Sequence, residues 1–294
     1  MLKRSLRIAA LAPVCLLLAS CGGSHNSGLN LFMTDAPIDS ASAVNVSFAA
    51  LQLTGPDVTP QTLAINPPSS IDLFQLQGGI AAVLTSNLQI APGHYTQLSL
   101  TIAADPNTDQ SDITLPDGTH ILYVPVGTSP TVSTPIDFTI ASGGTVNLTI
   151  DFDLRRSIIQ DPNDATKYEL IPSIRAVQNE LSGTLSGSVA SSLIICAEPA
   201  VYIYAGKVIP GDVDIDPATA SKTAAQPITT ALAGFNQTTS LYNFTASFLP
   251  PGTYTLAFTC DAPLDVANQA NTLTFTSITT AVVSARNTTF VQMQ

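Results

Sequence analysis

The sequence predicts an all-β chain of two tandem β-sandwiches, immunoglobulin-like or transthyretin-like in build, on three observations. Charged residues make up only 11% of 294 residues, while Thr, Ser, Val, Ile and Leu abound. The 21 prolines and 17 glycines recur every few residues as turn signals. Apolar residues alternate with a period of two through most of the chain, and helical spacing is confined to residues 8–18, with 79–87 the one further stretch where a short helix fits.

The chain opens on a basic cluster (Lys3, Arg4, Arg7), an apolar run over Ile8–Leu18 and then Leu18-Ala19-Ser20-Cys21. That order reads as an export signal over 1–20, too short at about eleven apolar residues to span a bilayer. Leu18-Ala19-Ser20-Cys21 resembles the lipobox of bacterial lipoproteins. The resemblance implies a diacylglycerol on the Cys21 sulfur, cleavage just before it and, in palmitate-type acylation, anchorage in a lipid bilayer. The alternative is an ordinary secretory signal cut nearby, with Cys21 a bystander. By resemblance to enterobacterial sorting, Gly22 after the cysteine points to the outer membrane, on its periplasmic face or at the cell surface. Residues 21–28 then form a polar tether with a reach of about 15 Å.

Loss of residues 1–20 leaves seven basic against twenty-one acidic residues, a net charge of −14. Such a balance disfavours nucleic acid as a partner, which needs clustered Lys and Arg. Cys15 leaves with the signal and Cys21 takes the lipid, so Cys196 and Cys260 remain. Outside the cytoplasm two thiols in one domain form a disulfide, the alternative being two unpaired core thiols. Closing a loop of that length would stabilise the domain by roughly 4 kcal/mol.

Along the first domain, residues 29–180, a strand over 29–33 leads into Thr34-Asp35-Ala36-Pro37. Val44, Val46 and Phe48 alternate, and the phase slips to Leu51 and Leu53, which requires a bulge near Ala49 and Ala50. A short strand is expected over 71–76. Pro92-Gly93-His94-Tyr95 turns the chain into Leu98, Leu100 and Ile102, and Pro116-Asp117-Gly118-Thr119 joins a hairpin. Ile136, Phe138 and Ile140 are expected to pair with Val146, Leu148, Ile150 and Phe152 across Ser142-Gly143-Gly144, and 168–177 closes the domain.

Leu31-Phe32-Met33-Thr34-Asp35-Ala36-Pro37, Pro92-Gly93-His94-Tyr95-Thr96-Gln97-Leu98 and Leu170-Ile171-Pro172-Ser173-Ile174 together resemble the domain-of-unknown-function 4382 family, over about 28–180. The resemblance implies a prokaryotic lipoprotein and brings no activity. The second domain, 183–294, opens with Gly183-Thr184-Leu185-Ser186-Gly187-Ser188-Val189 and carries Leu249-Pro250-Pro251-Gly252-Thr253-Tyr254. Those two segments resemble carboxypeptidase-regulatory-like and transthyretin-like modules, which implies a seven-stranded sandwich with late strands over 272–275, 279–283 and 288–291. The turn at Pro92 and the turn at Pro251 are the same motif, in which proline sets φ, glycine supplies a positive φ and the tyrosine packs under the corner.

Chemistry-bearing residues are sparse. Asp105, Asn107, Asp109 and Asp112 are the first-ranked calcium candidates, ahead of clusters at Asp151, Asp153, Asp161, Asn163, Asp164 and at Asp212, Asp214, Asp216. None has an EF-hand spacing, and Asx residues also dominate ordinary turns. His25, His94 and His120 are not spaced for zinc, and no Gly-x-Ser-x-Gly elbow occurs. Without Trp, the best ligand platform is Tyr202 with Tyr204 on one strand face; core packing is the blander account. The reading is a non-catalytic binding, adhesion or assembly module with no cofactor unless calcium, its partner an envelope protein or a glycan. A carbohydrate-binding lipoprotein and a hydrolase with an unrecognised site are the alternatives.

Overall fold

The computed structural model describes residues 26–38, 41–214, 221 and 223–294, so the leader, Cys21, His25 and Asp216 lie outside the described residues. The first sandwich runs β1 (Ser27–Ala36), β2 (Ala43–Gly55), β3 (Val58–Asp72), β4 (Ala82–Ile90), β5 (Gly93–Ala103) and β6 (Asp112–Leu115). It continues with β7 (Gly118–Tyr123), β8 (Thr131–Ile140), β9 (Thr145–Asp153), β10 (Ile158–Gln160), β11 (Lys167–Leu170) and β12 (Ile174–Gln178). One sheet has the order β12-β9-β1-β4; the other has β10-β11-β7-β6-β2-β5-β8, with β3 also paired to β2. Leu29, Leu31 and Met33 of β1 are fully buried and face Val46, Phe48 and Leu100 of the other sheet across one core. Each sheet buries its alternating face against the other.

The phase slip in β2 is a bulge, since its registers with β3 and β5 both shift between Phe48 and Ala50. The β6–β7 hairpin pairs Leu115 with Gly118 around Pro116-Asp117. Three expectations are overturned. Residues 79–87 form no helix; β4 pairs antiparallel with β1 and buries Leu84 and Ile90, so pairing overrides local propensity. Leu73–Leu76 is a 3-10 turn after β3 rather than strand. β8 and β9 do not pair: β8 adjoins β5, while β9 lies between β1 and β12. The Ser142-Gly143-Gly144 turn carries the chain across to the other sheet. Facing strands bury the same alternating residues as neighbouring ones, so the pattern alone cannot separate the two arrangements.

The second sandwich comprises β13 (Gly183–Val189), β14 (Ala200–Ala205), β15 (Thr229–Leu232) and β16 (Gly234–Asn236), then β17 (Leu241–Leu249), β18 (Gly252–Thr259), β19 (Phe275–Val283) and β20 (Thr288–Met293). The sheet orders are β16-β17-β13-β20 and β15-β14-β18-β19. It has eight strands rather than seven; 279–283 is the second half of β19, which begins at Phe275, and residues 272–274, expected as strand, are not. Gly187 is required by contact: a Cβ there would lie 2.1 Å from the Val291 carbonyl oxygen and 2.7 Å from the Phe244 ring. Cys196 and Cys260 form the disulfide, with Cα atoms 5.6 Å apart, tying the loop before β14 to the end of β18.

The two Pro-Gly-x-Tyr turns share a tyrosine corner. The Tyr95 hydroxyl donates to the Ala91 carbonyl at 2.7 Å and the Tyr254 hydroxyl to the Pro250 carbonyl at 2.6 Å, each four residues back. Their glycines differ. Gly93 has φ +153°, and a Cβ there would meet Val58 at 2.3 Å, whereas Gly252 has no positive φ. The tyrosine bond, not the glycine conformation, is what the two turns hold in common. Removing either hydroxyl leaves a partly buried carbonyl without its donor, so Tyr95→Phe and Tyr254→Phe are each expected to lose about 1 kcal/mol in urea unfolding, with additive effects because the corners lie in different cores.

Candidate functional site

The polar chemistry of the chain gathers at the junction of the two sandwiches. Beyond residue 20 there are four arginines, and all four bridge this junction. β9 ends at Asp153, whose Oδ1 caps a single helical turn, Leu154–Ser157, by accepting the Arg156 N–H at 3.0 Å. The turn directs Arg155 and Arg156 at the second sandwich. Arg155 Nη1 donates to the Ala262 carbonyl at 2.8 Å, and its guanidinium lies 5.7 Å from the centre of the Tyr202 ring. Arg156 Nη2 donates to the Pro227 carbonyl at 2.7 Å and to Gln226 at 3.2 Å. Arg175 on β12 donates to the Phe248 carbonyl at 2.6 Å while pairing with Asp151 at 2.6 Å. Phe248 holds a left-handed φ of +55°, uncommon for an aromatic residue, and offers that carbonyl from the strained backbone. From the other side Arg286 Nε donates to the Glu180 carbonyl at 3.0 Å.

Behind the arginines sit three buried carboxyls, Asp35, Asp151 and Asp153. Asp35 continues the inward row of Leu29, Leu31 and Met33, and neither of its oxygens completes a hydrogen bond. Burial, then the neighbouring Asp151 and Asp153 charges, hold its pKa well above the ordinary carboxylate range; the Leu154 N–H and Arg155 only partly oppose them. Burial also raises Asp153, with Arg156 acting against it. In the second sandwich burial pushes Asp265 up to about 6, although it accepts the Tyr202 hydroxyl at 2.7 Å and the Val213 N–H at 3.1 Å. An open groove of about 820 Å³ runs along the junction past Arg155, Ile159, Asp161, Tyr168, Asp265 and Gln269. Its carboxylates are engaged internally, Asp161 by the Tyr123 hydroxyl at 2.5 Å and Asp265 as above. These groups hold backbone and charge in place, and none pairs a nucleophile with a base.

The junction also corrects the platform expectation. Tyr202 and Tyr204 do share one face of β14, but both are fully buried. Val208 and Val213 from the segment after β14, Ala262 and Leu273 from the segment after β18, and Ile159 and Ile171 of the first sandwich cover that face. The tyrosines are core residues, their hydroxyls bonded to Asp265 and to the Gly211 carbonyl. Alternation identified the shared face without indicating that the chain itself occupies it.

The calcium expectation meets a similar fate. Asp105 Oδ1 closes an Asx turn by accepting the Asn107 N–H at 2.8 Å, and Asp112 Oδ1 turns to Asn45 of β2 at 3.0 Å, so Asp105, Asn107, Asp109 and Asp112 do not converge. Asp161 and Asp164 likewise accept N–H groups two residues on, and Asp212 accepts the Asn271 N–H. Among the described residues no group of three or more His, Cys, Asp or Glu is placed to hold a metal ion. His94 pairs with Asp137 at 2.8 Å and His120 with Asp117 at 2.9 Å, each on its own surface. Sequence reasoning passed over the four arginines. Their scarcity in an acidic chain was the available signal, together with the Arg155-Arg156 doublet interrupting an apolar run.

The family described as Domain of unknown function (DUF4382) matches residues 26–172, and the chain belongs to it. No curated protein matches the chain. Among solved structures, the Bacillus anthracis TIE protein is 11% identical at a TM-score of 0.20, over 91% of this chain and 34% of that one, so the chain spans about a third of its length. The minor pilin GBS52 of Streptococcus agalactiae is 9% identical at 0.20, covering 90% and 93%. The pilus backbone RrgB of Streptococcus pneumoniae is 9% identical at 0.22, covering 88% and 90%. Scores at that level carry no argument about function.

Two outcomes are expected at the junction. Arg175→Ala leaves the Asp151 carboxylate buried without its partner and is expected to cost about 3 kcal/mol in urea unfolding, part of which Asp151→Asn restores in the double variant. Asp35 binds its proton more tightly in the folded chain than in the unfolded one, so its contribution to stability is lost as pH rises from the ordinary carboxylate range through its raised value. Asp35→Asn has no proton to lose. Its urea midpoint is expected to exceed that of the natural chain at pH 8 and to show no such advantage at pH 4.

Proposed function

We propose that this member of the domain-of-unknown-function 4382 family is a non-catalytic envelope lipoprotein, acylated at Cys21, that works as a rigid two-sandwich binding or assembly unit held against its membrane. The observation that carries this reading is the use of every arginine beyond the leader to fasten one sandwich to the other. A chain that needed its guanidinium groups for substrate or for anionic ligands would leave some of them turned outward. The position of β1 supports the tethered part of the reading: Ser27, which opens β1 and is fully buried, stands six positions after the proposed lipidation site Cys21.

The Cys196–Cys260 disulfide fits an oxidising compartment. No helix among the described residues is long and apolar enough to cross a membrane. The second sandwich, by the resemblance of 183–189 and 249–254 to transthyretin-like modules, serves as the accessory half. With Tyr202 and Tyr204 buried, the carbohydrate-binding alternative loses its candidate platform.

Intact-mass analysis of the N-terminal peptide, paired with membrane fractionation, tests the reading. A diacylglyceryl-modified Cys21 in the membrane fraction, with Cys21→Ser released from it, is the expected result. An unmodified Cys21, or a Cys21→Ser chain that stays with the membrane, overturns the anchor.

A further inference from the structure

We propose that β19 is a pairing edge through which two copies of this chain join their second sandwiches into one continuous sheet. β19 is the last strand in the order β15-β14-β18-β19 and, among the described residues, no strand pairs with its outer side, where Thr289 of β20 makes a side-chain bond to Val282. Most other edges of the described sheets are blunted by devices that discourage pairing. β15 and β16 are only four and three residues long. β8 carries Pro135 and Asp137, and β12 carries Arg175. β4 is broken by two register shifts against β1, with Asn87 in a left-handed conformation. β19 has nine residues with no proline, glycine or charge, and pairs in unbroken register from Gly252–Val283 to Phe258–Ser277.

Its free side can be assigned. The Val282 carbonyl accepts the Thr289 hydroxyl at 2.7 Å, so it points away from β18, while across the Thr253–Val282 pair the Thr253 carbonyl points the other way, to the Gly206 N–H. By alternation the N–H and C=O of Ile278 and Thr280 face the open edge as well. On the sheet surface Ile278 is 54% and Val282 is 60% exposed.

The occupant follows from symmetry and charge. An antiparallel copy placed on a two-fold axis at Thr280 sets Thr280 opposite Thr280 and Ile278 of each chain opposite Val282 of the other. All are hydrogen-bonding positions, giving about four backbone bonds to free carbonyls, about two more in which the Val282 carbonyl is shared with the Thr289 hydroxyl, and two apolar cross-strand pairs. The strand is thus its own complement. Electrostatics favour the same choice, because the whole chain carries −11 and most contacts between copies would oppose like charges, whereas from 266 to 294 the only charged residue is Arg286.

Cysteine cross-linking on the full-length chain in its own membranes tests the pairing. Directly opposed hydrogen-bonded residues have Cα atoms about 5.5 Å apart, within disulfide reach. Thr280→Cys under mild oxidation is expected to give at least tenfold more disulfide-linked dimer than Thr276→Cys, which lies off the axis. Adding Ile278→Lys, which faces solvent in the monomer, is expected to abolish that dimer while the Cys196–Cys260 disulfide and the unfolding midpoint stay unchanged. The proposal is overturned if correctly folded Thr280→Cys gives no dimer, if Thr276→Cys cross-links equally, or if Thr280→Cys captures a different protein instead of a second copy.

Discussion

How the two sandwiches are held together depends on how guanidinium groups reach carbonyl oxygens across the junction between them. A carbonyl at a loop or strand end is an acceptor left over once the sheet ladder is complete, and an arginine can satisfy it over a longer distance than any other donor. Ala262, Pro227, Phe248 and Glu180 each offer such an oxygen, and each receives one. The carboxyls of Asp151 and Asp153 neutralise two of the arginines from behind, which is why charge can lie at a largely buried contact. Asp35 is the exception, a third carboxyl in the same neighbourhood without a partner of its own, and burial drives it towards the neutral form.

The strength of such a junction lies in direction more than in energy. Hydrophobic contact alone, as between Ile159 and the Tyr202 face, tolerates sliding. Four hydrogen-bonded arginines on three separate segments, with one donated in the reverse sense, leave little freedom to rotate. The two sandwiches keep separate cores, so each can bury its own apolar residues, and the carbonyl that Arg175 reaches comes from Phe248, whose left-handed backbone sits at the register shift between β13 and β17.

Much of this was legible in the residue order wherever a local pattern has one structural solution. The slip from Phe48 to Leu51 can only be a bulge, the Pro116-Asp117-Gly118 turn can only be a tight hairpin, and two tyrosines after Pro-Gly turned out to be corners. The pattern failed where one arrangement of apolar residues has two solutions. Val146, Leu148 and Ile150 alternate identically whether β9 lies beside β8 or across from it, and Tyr202 with Tyr204 alternate identically under solvent or under another domain. The site residues were harder still, because an arginine that spans domains has its partners at Ala262, Pro227 and Phe248, some seventy to a hundred positions away, with no spacing rule to connect them.

The parallel pairing of β1 with β9, Gly28 against Thr145 through Ala36 against Asp153, also sets an order of events in time. The first strand of the fold waits for a partner more than a hundred residues downstream, and β13 waits likewise for β20. Contacts of such long sequence separation form slowly. Until β9 is made, β1 can pair only with β4 on its other side, so the sheet that carries Leu29, Leu31 and Met33 stays incomplete. Synthesis must deliver about half of the polypeptide before β1 is paired on both sides.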